Sequence, residues 1–260
     1  PAAAAAAAGH AGAVALLRRR RADLRAADGR GETALHAACA AGHAACVVEL
    51  LMGGADVEAQ ALDGSNPFHH CAARGSVGCA AELSKATATA GEAMRLSLGL
   101  RAKLAKAVER GREARNKAGR TPLMVAAVAG QADGVRAMLE VGAAPDAAGD
   151  GGITALHLAA LKGHTPAARA LLRGGAEPNS RDDGGFTPLG LAVYGGHEGA
   201  AAALLQGGGN VNSRNKEGQS VLDIAAGPDG SKQILAALNK AQGFHAAKAG
   251  GGGGGGKGGE

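Results

Sequence analysis

The chain has 260 residues, of which 46% are hydrophobic, with no Trp, one Tyr, three Phe, 45 Gly, four Cys and a net charge of +5. So few large side chains cannot fill a thick globular core, and an apolar fraction made mostly of Ala suits many small helix interfaces in a thin stack. The sequence shows no apolar run of about 20 residues and no basic-led hydrophobic leader, so neither a membrane helix nor a signal peptide is expected within it, while four Cys without an N-x-S/T site suit free thiols in the cytoplasm or nucleus.

In chain order, residues 1–27 read as part of a repeating unit. Val14, Ala22 and Asp23 lie 33 residues before Val47, Ala55 and Asp56, and Ala2 to Ala8 take the place of a first helix. The chain is therefore expected to start inside a repeat, as a fragment or truncated product would. The segment Thr33-Ala34-Leu35-His36 then recurs at Asn66-Pro67-Phe68-His69, Thr121-Pro122-Leu123-Met124, Thr154-Ala155-Leu156-His157, Thr187-Pro188-Leu189-Gly190 and Ser220-Val221-Leu222-Asp223. The first residues of these segments are 33, 55, 33, 33 and 33 apart, a fixed period broken once by about 22 residues.

Each position has a physical reading. Thr, Ser or Asn can cap orphan helix amides, and Pro is tolerated at the first helical residue, so a helix starts at each motif. Gly42, Gly75, Gly130, Gly163 and Gly196 each fall nine residues after a motif begins, where a glycine can end that helix. A second helix carrying Leu50-Leu51, Met138-Leu139, Leu171-Leu172 or Leu204-Leu205 follows. The predicted units are 28–60, 61–115, 116–148, 149–181 and 182–214, then a polar cap at 215–242 and a flexible Gly-rich tail at 243–260.

These residues resemble the ankyrin repeat, whose unit is 33 residues with a T-P-L-H-x-A signature. The resemblance covers roughly residues 1 to 240. It implies an all-α solenoid of helix-turn-helix units joined by short hairpin-like loops, with a concave side formed by the loop tips and the exposed face of the first helices. It also implies that His36, His69 and His157 hydrogen-bond the backbone between neighbouring turns, with His43, His164 and His197 in the turns linking the helices.

The extra residues fall at about 84–110, in the second full repeat. Leu96, Leu100, Leu104 and Val108 recur at helical spacing, which predicts an added amphipathic helix over Glu92 to Arg110. Between Ser84 and Arg120 there are ten basic residues (Lys85, Arg95, Arg101, Lys103, Lys106, Arg110, Arg112, Arg115, Lys117, Arg120) against Glu92, Glu109 and Glu113, a net +7. An acidic partner suits this segment better than single-stranded nucleic acid, because no aromatic residue interleaves the charges.

No catalytic, cofactor or metal site is expected. Cys39, Cys46, Cys71 and Cys79 sit at small inward positions without C-x2-4-C spacing. The run Gly251 to Lys257 imitates a phosphate loop, but Gly258 stands where Ser or Thr is required. His197-Glu198 has no second His to complete a zinc-protease helix.

Aligning the repeats places Val128, Ile153, Leu161, Phe186 and Tyr194 on one apolar stripe of the concave face, with Arg120, Lys162, Arg181, Asp182, Asp183, Arg214 and Lys216 as a charged rim. Exposed aromatics beside charge are the usual anatomy of a protein-binding hot spot. The expected function is a non-catalytic scaffold or adaptor for a protein partner. The alternative is the substrate-targeting region of a larger enzyme, such as a kinase or ubiquitin ligase.

Overall fold

The computed structural model describes residues 1–86, 98–227 and 231–250, with side chains at 1–86, 102–227 and 231–241. Its described helices are α1 (Ala2–Ala7), α2 (Ala11–Arg19), α3 (Ala34–Ala41), α4 (Ala44–Met52), α5 (Pro67–Arg74), α6 (Val77–Ser84), α7 (Leu98–Glu113), α8 (Pro122–Val128), α9 (Ala132–Glu140), α10 (Ala155–Leu161), α11 (Thr165–Arg173), α12 (Pro188–Tyr194), α13 (Glu198–Gln206), α14 (Val221–Ala225) and α15 (Lys232–Gly250).

The motif residues start the helices as their chemistry requires. Thr33, Asn66, Thr121, Thr154, Thr187 and Ser220 are N-caps in extended conformation. The side chains of Asn66, Thr121, Thr154, Thr187 and Ser220 accept hydrogen bonds from amides in the first turn. In α3, α5, α10 and α14 the bond is reciprocated by His36, His69, His157 and Asp223, which makes four capping boxes. Gly42 and Gly75 end α3 and α5 in the left-handed region, with φ of 82° and 69°.

The first helices α1, α3, α5, α8, α10, α12 and α14 pack in succession as one layer. The second helices α2, α4, α6, α9, α11, α13 and α15 pack in succession as another. Leu35, Phe68, Leu123, Leu156 and Leu189 recur at one fully buried position of the first layer, and Leu50, Leu83, Met138, Leu171 and Leu204 at one of the second. The core is a ladder of equivalent side chains, each touching only adjacent rungs. All four Cys are free and buried within it. Burial pushes the Cys46 and Cys71 thiols above their ordinary range, and a hydrogen bond with Cys71 does so first for Cys79, which keeps them inert.

The predicted additional helix is present as α7, which runs to Glu113, three residues beyond the expected end. Leu104, Ala107 and Val108 turn to the core, and Lys103, Lys106 and Arg110 are exposed. Residues 87–97, including Arg95 and Leu96, and the side chains of Leu100 and Arg101 lie outside the described residues. Helix α6 packs directly against α9, so α7 leaves the stacking of second helices intact and touches α5 instead. It docks through Asn66 Nδ2, which donates to the Gly111 carbonyl at 2.7 Å, and through Arg110, whose two bonds to Glu58 are 2.8 Å each.

Beyond the insertion a second ladder holds the outer loops. The side-chain oxygens of Glu113, Asp146 and Asn179 accept from the backbone amides of Ala144, Glu177 and Asn210 at 2.8, 2.9 and 2.7 Å. At the other end, α15 continues to Gly250, past the boundary at 242 expected between cap and tail. Residues 251–260, the rest of the expected tail, lie outside the described residues.

Candidate binding face

Each loop between repeats is a five-residue finger closed by a backbone bond from its first amide to its fifth carbonyl. These bonds are Asp28 to Glu32, Ala61 to Ser65, Asn116 to Arg120, Gly149 to Ile153, Asp182 to Phe186 and Asn215 to Gln219, at 2.8 to 3.0 Å. Isolated antiparallel bridges flank two of them, Ala27 with Thr33 and Arg214 with Ser220. A leading Asp or Asn folds its side chain over the finger, as when Asp182 Oδ1 accepts from the Phe186 amide at 2.8 Å.

The motif histidines tie the helices to the next finger. Backbone N–H groups of Thr33, Asn66 and Thr154 donate to Nδ1 of His36, His69 and His157, so the other ring nitrogen carries the proton. It donates to the carbonyls of Ser65, Arg120 and Phe186 at 3.2, 2.9 and 3.1 Å. Two of the turn histidines do comparable work, His164 donating to the Val128 carbonyl at 3.0 Å and His197 to the Leu161 carbonyl at 2.9 Å. Burial depresses His36, His69 and His157 below the ordinary imidazole range, His69 to about 4. Burial also depresses His70, whose ring meets His36 edge-on at 5.2 Å.

Val128, Leu161 and Tyr194 end or nearly end three successive first helices, α8, α10 and α12. Tyr194 is 71% exposed and Leu161 37%, while Val128, Ile153 and Phe186 are half-buried. The Phe186 and Tyr194 rings meet edge-on, with centroids 6.5 Å apart. Arg120 and Ile153 line one cleft between neighbouring fingers. Lys162, Arg181, Asp183 and Lys216 are exposed. Two of the charged residues also have duties inside the fold: Asp182 caps its finger, and Arg214 turns back to the Gly218 carbonyl at 2.7 Å, with Asp223 3.6 Å away.

Leu62 escaped the sequence reasoning. It is 65% exposed at the tip of the 61–65 finger, and the signal was a large apolar residue where the other fingers carry Gly29, Lys117, Asp150, Asp183 and Lys216. Among the described residues, no group of three or more His, Cys, Asp or Glu could hold a metal ion. Among them, too, no helix is long and apolar enough to cross a membrane.

Two layers of antiparallel helix pairs with fingers projecting from one edge define an all-helical repeat solenoid. The sequence matches the family described as "Ankyrin repeats (3 copies)" at residues 2–92, 101–182 and 157–245, and the chain belongs to that family. Ankyrin repeats are protein–protein interaction modules, a family of non-catalytic domains. Comparison with curated protein sequences finds no match. Among solved structures, the chain is similar to the ankyrin repeat domain of Bcl-3, described as a unique member of the IkappaB protein family, at 22% identity and a TM-score of 0.69, covering 92% of this chain and 97% of that one. It is also similar to the human ASB11 ankyrin repeat domain, at 23% identity and a TM-score of 0.66, covering 93% and 97% respectively. Likeness at this identity establishes the fold.

Proposed function

We propose that the chain is a non-catalytic scaffold or adaptor that holds a protein partner against the face centred on Phe186 and Tyr194. The observation that carries this reading is the Tyr194 ring, 71% exposed yet braced edge-on by Phe186. A large side chain already ordered in the free protein loses little entropy on binding, and aromatic anchors of this kind dominate interface energetics. Leu161 extends the apolar surface along the adjacent helix, and Arg181, Asp183, Lys162 and Lys216 supply charge around it. The basic face of α7 is separate and suits an acidic contact.

Affinity capture with the wild-type chain and with a Phe186→Ala, Tyr194→Ala variant tests the reading. A bound protein should be retained roughly tenfold or more weakly by the double variant, the loss expected of a hot spot worth at least 1.4 kcal/mol. Equal capture by both chains, with both folded, would move the interface elsewhere.

A further inference from the structure

The second helix of the first unit, α2, packs on α4. Away from α4 it carries Ala13, Leu16 and Arg20, which share a face at spacings of three and four residues. In the later units the position of Ala13 holds Cys46, Cys79, Gly134, Ala167 and Ala200, all buried. The position of Leu16 holds Glu49, Glu82, Ala137, Ala170 and Ala203, none of them exposed. Ala13 is exposed and Leu16 is 55% exposed, so α2 presents an apolar face that its counterparts cover.

The turn after α2 departs further from its counterparts. Gly53-Gly54, Gly174-Gly175 and Gly207-Gly208 follow α4, α11 and α13, and Val141-Gly142 follows α9, next to the insertion. Arg20-Arg21 takes that place after α2. The first glycine is a steric requirement of stacking, because a Cβ at Gly53, Gly174 or Gly207 would overlap Leu24, Leu139 or Leu172 of the preceding unit. Arg20 therefore closes this face to a helix packed in the register of the stack. The second glycine lies at positive φ, from 77° to 93° at Gly54, Gly142, Gly175 and Gly208. Arg21 enters the same region at 54°, and among the described residues it is the one non-glycine with positive φ. A side chain in that conformation is strained, so arginine is held here against the preference of the turn.

Arg18 is taken up by Glu49 at 3.0 Å. The guanidiniums of Arg19, Arg20 and Arg21 are exposed and have no hydrogen-bond or ion-pair partner among the described residues. Arg25 reaches the Gly54 carbonyl at 3.1 and 3.2 Å, with no carboxylate to neutralise it. Asp23 is the one acidic residue between Arg19 and Arg25, so four arginines against one aspartate leave the corner at +3.

We propose that this corner of the solenoid rests on an anionic lipid surface, with Leu16 at the acyl boundary and Arg19, Arg20, Arg21 and Arg25 against headgroup phosphates. An exposed apolar side chain beside unpaired cations is the composition of an interfacial contact, and guanidinium is suited to phosphate oxygens. A fluid surface accommodates Arg20 where a packed helix does not. Duplex nucleic acid would set Ala13 and Leu16 against phosphates with no apolar contact in return, and residues 1–27 hold no aromatic side chain on which single strands could stack. The corner and the Phe186–Tyr194 face lie in distant units, so the two readings stand or fall separately.

The probe is a pair of vesicle preparations, sedimented with the full chain. Vesicles of equal parts phosphatidylcholine and phosphatidylserine should retain it, with retention falling as salt rises, and vesicles of phosphatidylcholine alone should not. Arg19→Ser with Arg20→Ser should weaken binding about tenfold or more, and Leu16→Ser about threefold or more. Arg21→Gly should weaken binding about threefold or more while the thermal midpoint rises, because glycine relieves the left-handed strain. Lys103→Ser with Lys106→Ser, on the exposed side of α7, should leave binding within about twofold. Absence of retention on the mixed vesicles overturns the proposal, as does equal retention on both preparations or retention that Arg19→Ser with Arg20→Ser leaves unchanged. An Arg21→Gly midpoint that falls would mean that Arg21 serves the fold, which counts against the site. Loss of binding on the α7 variant alone would overturn it by moving the contact to α7. A DNA duplex bound more tightly than the mixed vesicles at equal phosphate concentration, with no effect of Leu16→Ser, would put nucleic acid in place of lipid.

Discussion

His157 Nε2 donates to the backbone carbonyl of Phe186 at 3.1 Å, so a residue buried in the core of one repeat fixes the loop residue that braces the exposed Tyr194 ring of the next. His157→Leu keeps an apolar side chain of useful size and removes the ring's hydrogen bonds to the Thr154 amide, the Thr154 hydroxyl and the Phe186 carbonyl. The Thr154 amide and the Phe186 carbonyl lose a partner each, at a cost of about 1–3 kcal/mol per buried group. Urea unfolding should show a clear loss of stability, and partner retention should fall with it. An unchanged midpoint would show that the tie is not energetically coupled to the fold.

Stability should fall on mild acidification. Burial depresses His36, His69, His70 and His157, and His69 titrates at about 4. The unfolded chain takes up these protons near the ordinary pKa of about 6.5 while the folded chain refuses them. The contribution is therefore complete above about pH 6.5 and is lost as pH falls through the window toward 4. His69 alone accounts for about 2 kcal/mol at pH 5. Thermal midpoints that stay level from pH 7 to pH 4.5 would contradict this.

The inserted helix is held closely at one point. A Cβ at position 111 would lie 3.2 Å from the Phe68 ring, and Phe68 is fully buried. Gly111→Val should cost about 1–3 kcal/mol through overpacking, despite its gain in helix propensity. Lys106→Ala, on the exposed side of the same helix, should stay within about 0.5 kcal/mol of wild type. Equal effects in denaturant titration would mean that α7 is not docked through Gly111.

Tyr194 and Leu204 belong to neighbouring helices but occupy opposite environments. Tyr194→Ala removes a mostly exposed ring and should move stability by no more than about 0.5 kcal/mol. Leu204→Ala empties a fully buried position and should cost about 2–5 kcal/mol. The first should act on binding and the second on folding, which paired calorimetry and capture would separate.

The helix pairs were legible because cap, proline and leucine recur at a fixed period, and each of those residues acts locally. The motif histidines were legible too, since their bonds follow from their place in the motif. The face around Tyr194 followed from comparing equivalent positions across repeats, but the duties of Asp182 and Arg214 inside their own fingers did not, because they depend on loop conformation. The cleft beside Met124 and Gly149 was not anticipated. Its signal is two substitutions 25 residues apart, Met124 for the motif histidine and Gly149 for a leading Asp or Asn, and they meet only once one finger is laid beside the next.

That junction has a further consequence for cooperativity. A solenoid is a row of nearest-neighbour couplings, and its melting domain forms where one coupling is weakest. With Met124 in place of the motif histidine, and no bond from the Asp150 amide to the Ala118 carbonyl among the described residues, the boundary is expected between the 116–120 and 149–153 fingers. Amide exchange should then divide the protein into two blocks that open with different free energies, joined through the α8–α10 and α9–α11 packing and through the His164–Val128 and Asp146–Glu177 hydrogen bonds.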